Sequence, residues 1–297
     1  MLDQDLSDHL QTQVHQALSE QQPLHLQAGG SKAFYGNRIA GERLDLSQHA
    51  GVLNYEPTEL VLTARCGTLL SDIEQLLAEQ QQMLTFEPPH FSGNATLGGA
   101  IASGLAGPRR PWGGAPRDSL LGIKLLDGQG HILNFGGQVM KNVAGYDVSR
   151  LMAGAQGTLG ILLELSVKVL PAPQNQATQI LTINRDQAVT LMRELSRKPA
   201  PISAACHLND QLYLRLSGNQ ASITAWQKKI GGEPDESSFW QPLRDQQLDF
   251  FQRHDTLWRL SLPPATPRLD CEQTVLTDWA GAQRWVYTEY SAQAIRE

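Results

Sequence analysis

The chain has 297 residues and a formal net charge of −6, and its length suits two domains of ordinary size. This acidic balance disfavours a nucleic-acid binder, because phosphate backbones are held by clustered lysine and arginine. The three cysteines are widely spaced, which matches neither a disulfide framework nor a metal or iron–sulfur ligand run. The sequence has neither the basic start and apolar block of a signal peptide nor the apolar run of a membrane span, so we expect a soluble cytoplasmic protein without direct membrane insertion.

The first half of the chain alternates predicted helices and strands around glycine-rich turns. Apolar residues at helical spacing over 6–18 predict an amphipathic helix, and a strand then leads into a turn at 28–32, where two glycines permit close approach of the backbone to a ligand. Almost every side chain in segment 93–104 is small, which would let a flat ligand lie against the main chain. The remaining predicted elements are strands at 52–55, 60–64 and 161–169, a strand hairpin at 123–135 and helices at 69–77 and 143–155.

A segment rich in proline, glutamine and asparagine at 171–177 marks a predicted domain boundary. We therefore predict one domain at 1–172 and a second at 173–297. Beyond the boundary, strands and helices follow in β-α-β-β-α order, which is most of a ferredoxin-like unit. These elements are predicted at 178–183, 185–197, 202–208, 212–216 and 221–230, with later strands at 256–262 and 284–287.

Two common phosphate-binding loops are excluded. Gly93 and Gly98 have the spacing of a Walker A loop, but Gly99 follows where that loop needs lysine. A Rossmann fingerprint follows a strand and opens a helix, whereas the glycines within 154–160 follow a predicted helix and open a strand. What remains is three separated glycine-rich turns whose backbone N–H groups could converge on a pyrophosphate. Taken alone, each of them is more often an ordinary tight turn.

Read together, however, a series of short motifs resembles the FAD-binding domains of the vanillyl-alcohol oxidase/PCMH superfamily. In chain order they are Gly29-Gly30-Ser31, Tyr55-Glu56-Pro57, Gly67-Thr68, Ala95-Thr96-Leu97-Gly98-Gly99, Arg117-Asp118, Gly145-Tyr146-Asp147 and Gly157-Thr158-Leu159-Gly160-Ile161. Within that superfamily, segments 106–112 and 139–147 are most similar to the FAD-binding subunit of bacterial glycolate oxidase.

The resemblance implies an α+β fold with a PCMH-type FAD-binding domain of two α+β subdomains, followed by a smaller ferredoxin-like α+β domain. Members of the family usually continue to a terminal Asn-Pro-Gly-Arg-x-Tyr-like segment. This chain stops at Glu297 without one, and we therefore expect a truncated C-terminal domain.

The resemblance also assigns a set of residues to FAD. The turn at 28–31 would hold the diphosphate, segment 96–104 would contact the ribityl and isoalloxazine groups, and segment 157–161 would flank the adenine half. The assigned residues are Ala28, Gly29, Gly30, Ser31, Thr96, Gly98, Gly99, Ser103, Gly104, Gly157, Thr158, Gly160 and Ile161. Some members attach the flavin covalently through a histidine or cysteine. The diphosphate turn has neither, so we predict non-covalent FAD.

The sequence does not identify a catalytic base. The histidines considered are each more consistent with a surface or satisfied core position, and they are His90, His131, His207 and His254. Tyr146 fits either a contact with substrate or flavin or a packed helix start, and Cys66 fits a buried, inert thiol. Asp118 and Asp147 fit turn or helix caps. The arginines at 109, 110 and 117 could hold a small carboxylate, but a solvated loop or a partner contact fits them equally.

The resemblance implies the FAD-binding subunit of a glycolate oxidase complex, which oxidises glycolate or a related 2-hydroxy acid to the 2-oxo acid. The chain has no cysteine cluster to carry electrons onward, so an iron–sulfur subunit is an expected partner. The resemblance also implies a second flavin subunit, and any contact with the inner face of the membrane would come through these partners. The tryptophans of the C-terminal part fit partner anchors or, more often, core packing. Two alternatives remain open: a stand-alone FAD-dependent 2-hydroxyacid dehydrogenase, and a non-catalytic flavin-binding scaffold subunit.

Overall fold

The structure is a computed structural model that describes residues 3–37, 40–137 and 146–296. Its contacts divide the chain into two compact units. The first unit comprises the described residues up to Gly107 and those of Gly114–Ala172, and the second comprises Pro108–Gly113 and the described residues from Pro173 onward. The domains predicted from the sequence differ from these units in segment 108–113, which groups with the second unit.

Both units contain helices and strands. The helices are α1 (Ser7–Glu20), α2 (Leu70–Glu79), α3 (Leu97–Ser103), α4 (Arg110–Gly113), α5 (Pro116–Ser119), α6 (Val148–Met152), α7 (Arg185–Ser196), α8 (Gln220–Ile230), α9 (Trp240–Arg244) and α10 (Ala292–Arg296). The strands are β1 (Leu24–Gln27), β2 (Glu42–Asp45), β3 (Val52–Glu56), β4 (Val61–Arg65), β5 (Gln82–Leu84), β6 (Leu120–Leu126), β7 (Ile132–Gly136), β8 (Ile161–Pro171), β9 (Asn175–Thr182), β10 (Ile202–Leu208), β11 (Gln211–Gly218), β12 (Glu233–Asp235), β13 (Leu257–Ser261), β14 (Thr274–Asp278) and β15 (Gln283–Tyr287).

The first unit is built on an antiparallel sheet. Its strand order is β3-β4-β8-β6-β7, and β5 also pairs with β8, whereas β1 and β2 form a separate parallel pair. Strand β8 is buried on both faces, because Leu162 and Leu163 point to opposite sides and belong to one hydrophobic cluster. The alternation predicted for this strand therefore describes only one of its two buried faces.

Several helix predictions for the first unit are confirmed, and one extends beyond the described residues. Helix α2 buries Leu70, Ile73 and Leu77 completely, as their helical spacing predicts. The predicted helix at 143–155 begins outside the described residues, and its described part is the short α6. The motif at 139–147 likewise falls mostly outside them.

The second unit contains a sheet with strand order β12-β9-β11-β10-β14-β15-β13. The run β9-α7-β10-β11-α8-β12 follows the β-α-β-β-α-β pattern of a ferredoxin-like unit, and the other three strands extend the sheet beside β10. One hydrophobic cluster forms where α7 and α8 pack on the sheet, and an aromatic cluster involves residues of 239–251.

The tryptophans of the second unit contribute to packing. Trp240 and Trp285 pack against the aromatic cluster, and Trp279 is buried. Trp226 packs against the hydrophobic cluster formed by α7, α8 and the sheet, which we call the helix-side cluster. These positions favour the core-packing interpretation for these four residues. Within the described ranges, no helix is both long enough and apolar enough to cross a membrane.

Candidate cofactor site

The first unit contains a cavity of about 550 Å³. Its wall comes from segments that are far apart in sequence: β1 with the turn after it, the start of α3, and the turn that enters β8. The lining residues that the family resemblance assigned to FAD are Ala28, Gly29, Gly30, Ser31, Thr96, Gly98, Gly99, Ser103, Gly157, Thr158, Gly160 and Ile161. The fold therefore brings the three glycine-rich turns to one place.

The turn after β1 presents backbone donors at the wall. Gly30 has a φ of 69°, a conformation that favours glycine. Among the hydrogen bonds of the described residues, the N–H groups of Gly29, Gly30 and Ser31 have no acceptor. Because buried or enclosed N–H groups are normally paired, consecutive donors without an acceptor suit an anionic group.

A tight backbone contact holds this turn in place. A Cβ atom at Gly29 would overlap the carbonyl oxygen of Asn94, two residues before the N-cap of α3. Glycine is therefore required here for the approach of two protein segments, in addition to any approach of a ligand. The same contact fixes the spacing between two parts of the cavity wall.

The start of α3 is held by its own cap and by the residue after β4. The Thr96 side chain accepts a hydrogen bond from the Gly99 N–H at 3.2 Å, as expected of an N-cap. The Gly98 N–H donates to the Cys66 carbonyl at 2.8 Å, and a Cβ atom at Gly98 would lie 2.5 Å from Cys66 Cβ. Small residues in this segment thus let the helix pack closely against Cys66, which also lines the cavity.

The turn that enters β8 is tied to α3 by backbone hydrogen bonds. The Gly154 N–H donates to the Ile101 carbonyl at 3.0 Å, and the Gln156 N–H donates to the Ala102 carbonyl at 2.9 Å. Gly157 has a φ of 77°. These bonds place residues 157–161 close to α3, which also contributes to the wall.

One assigned residue lies apart from the cavity. Gly104 is not among the lining residues, and it ends α3 in the left-handed conformation with its N–H on the Ala100 carbonyl. Its predicted contact with FAD stays a prediction. Conversely, the sequence reasoning missed lining residues whose type gives no signal on its own. They include His25, Gln27, Lys32, Tyr35, Asn37, Met152 and Gln156.

Cys66 lies in the wall as an unreactive thiol. Burial raises its pKa to about 12, and the pKa values of Cys206 and Cys271 are also raised by burial. Because the thiolate is the reactive form, we expect native protein at pH 8 to react with a thiol reagent far more slowly than unfolded protein. A colorimetric thiol titration before and after denaturation tests this, and immediate native labelling at Cys66 would contradict it.

The candidate catalytic histidines are dispersed. His90 Nε2 lies 3.1 Å from Glu74, and His131 Nδ1 lies 3.2 Å from Asp127. His207 is buried in the second unit, where desolvation lowers its pKa, and His254 is exposed. Of these four described residues, none lines the cavity.

Other candidates have structural roles or lie away from the cavity. Asp147 is the N-cap of α6, and Asp118 accepts the Ala115 N–H at the start of α5, as the capping interpretation predicted. Tyr146 is 95% exposed, so the interpretation as a packed tyrosine is wrong.

The three arginines considered for carboxylate binding do not line the cavity. Arg110 stacks on Trp279 at 4.4 Å from the ring centroid, and Arg109 is buried; both belong to the second unit. Arg117 is exposed. Their roles in substrate or partner binding stay predictions.

The cavity suits an anionic dinucleotide on two observations. Its wall offers unpaired main-chain donors in the turn after β1, and the lining residues within the described ranges include no aspartate or glutamate. Its volume also lies within the range of small-molecule and cofactor sites. The residues present therefore fit FAD.

Comparison with known proteins agrees with this fit. Residues 6–136 match the FAD binding domain family, so the chain is a flavoprotein with an FAD-binding domain. It is 49% identical over 282 residues to the glycolate oxidase subunit GlcE of Escherichia coli (strain K12), across 95% of this chain and 81% of that protein. The chain belongs to the family of this GlcE protein.

Solved structures show the same fold at low sequence identity. An alkyldihydroxyacetonephosphate synthase has a TM-score of 0.68 at 16% identity, covering 94% of this chain and 68% of that chain. A p-cresol methylhydroxylase structure with substrate bound has a TM-score of 0.64 at 17% identity, covering 81% and 59%. The expected α+β fold of the PCMH-type FAD-binding superfamily is confirmed.

Proposed function

We propose that this chain is the FAD-binding subunit of a glycolate oxidase complex, which oxidises glycolate or a related 2-hydroxy acid to the 2-oxo acid. The observation that carries the proposal is the meeting of the three glycine-rich turns in one cavity, in a chain of the GlcE family. An acidic chain can hold a diphosphate in this way because backbone N–H groups supply the donors.

In this proposal each part of the cavity holds a different part of FAD. The turn at 28–31 holds the diphosphate, residues 96–103 lie along the ribityl and isoalloxazine groups, and residues 157–161 flank the adenine half. When bound, FAD supplies the hydride acceptor, and the chain supplies binding and orientation. Attachment is non-covalent, since the lining cysteine is a protonated, inert thiol and the diphosphate turn has no histidine.

Electrons then leave through partners. The three cysteines are all buried, with Cys66 in the first unit and Cys206 and Cys271 in the second, so they do not form a cluster. We propose an iron–sulfur subunit as the acceptor and a second flavin subunit beside it. Any attachment to the inner face of the membrane would come through these partners.

One observation favours a second candidate, a non-catalytic flavin-binding scaffold subunit. None of the four histidines considered from the sequence, which lie in described parts of the chain, lines the cavity, and the lining residue His25 lies on β1 next to the turn proposed for the diphosphate rather than in the segment proposed for the flavin ring. A subunit that binds flavin for structure needs no base, whereas oxidation of a hydroxy acid needs a group that takes the hydroxyl proton.

The proposal is tested by purifying the tagged chain from its host. We expect a flavin spectrum, co-purifying iron–sulfur and flavin subunits, and release of all flavin into the supernatant on acid precipitation. Bleaching of this chain's flavin by glycolate within the complex supports the leading proposal, and flavin that is never bleached supports the scaffold. Dye reduction by the chain alone would favour a stand-alone dehydrogenase, and a colourless lone monomer argues against all three.

A further inference from the structure

The wall of the cofactor cavity carries an uneven distribution of charge. Among its described lining residues, Lys32 is the one lysine or arginine, and no carboxylate is present. The diphosphate of a dinucleotide would bring negative charge against this wall, where an ionised group that gives up water needs charged or hydrogen-bonding partners. Among the described lining residues, Lys32 is therefore the side chain whose positive charge can offset the charge of the diphosphate.

Lys32 directly follows the turn that presents the unpaired N–H groups. Its Nζ lies 3.3 Å from the Ser31 hydroxyl and 5.6 Å from the centroid of the Phe91 ring. Phe34 meets Phe91 edge-on at 5.1 Å, which steadies that ring. A cation–π contact orients an ammonium group while keeping its positive charge, so the contacts with Phe91 and Ser31 hold the charge of Lys32 at the cavity wall.

We infer that Lys32 pairs with the diphosphate of FAD and determines how strongly the phosphate half of the cofactor is held. This inference rests on the proposed function and extends it to a residue outside the glycine motifs. A lysine suits the role because its ammonium is a compact point charge on a flexible stem, which can reach either phosphate without the fixed geometry of a guanidinium group.

The experiment compares two ligands that share the flavin ring. Full-length apoprotein carrying Lys32→Met is titrated with FAD and with riboflavin, which lacks phosphate. We expect the Kd for FAD to rise about tenfold, as for loss of a charge-assisted hydrogen bond, and the Kd for riboflavin to stay unchanged. The FAD affinity of the unsubstituted protein should also fall more steeply with added salt than that of the variant.

Two further variants control for folding. Lys168→Met makes the same substitution on β8, away from the cavity, and should bind both ligands as the unsubstituted protein does. Lys32→Arg keeps the charge and should retain most of the FAD affinity. Unchanged FAD binding by Lys32→Met, or equal weakening of both ligands, overturns the inference while the proposed function stands; failure of the unsubstituted chain to bind FAD overturns the proposed function itself.

Discussion

Replacement of Gly29 by alanine is expected to raise the Kd for FAD at least about tenfold. The new Cβ atom would overlap the carbonyl oxygen of Asn94, and backbone cannot yield as a flexible side chain can. The overlap is relieved only if the turn at 28–31 or the segment before α3 shifts, and both lead into the cavity wall. Overpacking of this kind costs about 1–3 kcal/mol, and the shift would also misalign the backbone donors proposed for the diphosphate.

A matched control separates this effect from a general loss of stability. Gly128 lies in the turn between β6 and β7, where an added Cβ atom would meet nothing within 4 Å. Gly128→Ala should therefore retain the flavin of the unsubstituted protein. Flavin content is measured by absorbance after gel filtration, and the far-ultraviolet circular dichroism of both variants is compared. Full flavin occupancy in Gly29→Ala would show that the close contact does not shape the site.

Replacement of Glu272 by glutamine is expected to destabilise the second unit by about 3–5 kcal/mol. Glu272 is buried, and its two carboxylate oxygens lie 2.6 Å from Arg284 Nη1 and 2.5 Å from Arg185 Nη1. Arg284 is also fully buried. A neutral side chain would leave two guanidinium groups without their shared counter-charge in a region of low dielectric, which is far more costly than loss of a surface ion pair.

Tryptophan fluorescence can follow this change selectively. All six tryptophans belong to the second unit, because Trp112 lies within Pro108–Gly113. Denaturant unfolding followed by fluorescence therefore reports on the unit that contains Glu272. The exposed Glu289 provides the control, and Glu289→Gln should change the unfolding free energy by less than about 0.5 kcal/mol. A loss below about 1 kcal/mol in Glu272→Gln would mean that solvent or relaxation compensates the arginines.

Local pattern predicts the elements that bury a regular apolar face. The helical spacing of apolar residues in α2 and the alternating pattern of β8 were sufficient to predict both. Strand β2 was missed because Leu44 is its one apolar residue, and β14 was missed because its C-terminal half is polar although Thr277 and Asp278 are buried. These strands depend on pairing with neighbouring strands, which a local pattern does not contain.

The residues of the candidate site also fall into those that a local sequence pattern indicates and those that only the fold reveals. Glycine-rich turns give a recognisable signal, and they lie at the cavity. Lys32 gives no such sequence signal, because a lysine beside a turn is usually exposed to solvent. Its position on the cavity wall is seen only in the fold. The ion cluster of Glu272 was equally hidden, since Arg185 comes from the start of α7 and Arg284 from β15. Contacts between residues so distant in sequence become visible only in three dimensions.

The assignment of Pro108–Gly113 to the second unit affects how the protein can be dissected. The polypeptide passes from one unit to the other at three places rather than one, so a cut at Ala172 does not release an intact half. In a fragment that ends at Ala172, the Trp112 side chain would be exposed to solvent, because the helix-side cluster against which it packs belongs to the second unit. A gene fragment for the flavin-binding half should instead join Gly107 to Gly114 through a short polar linker.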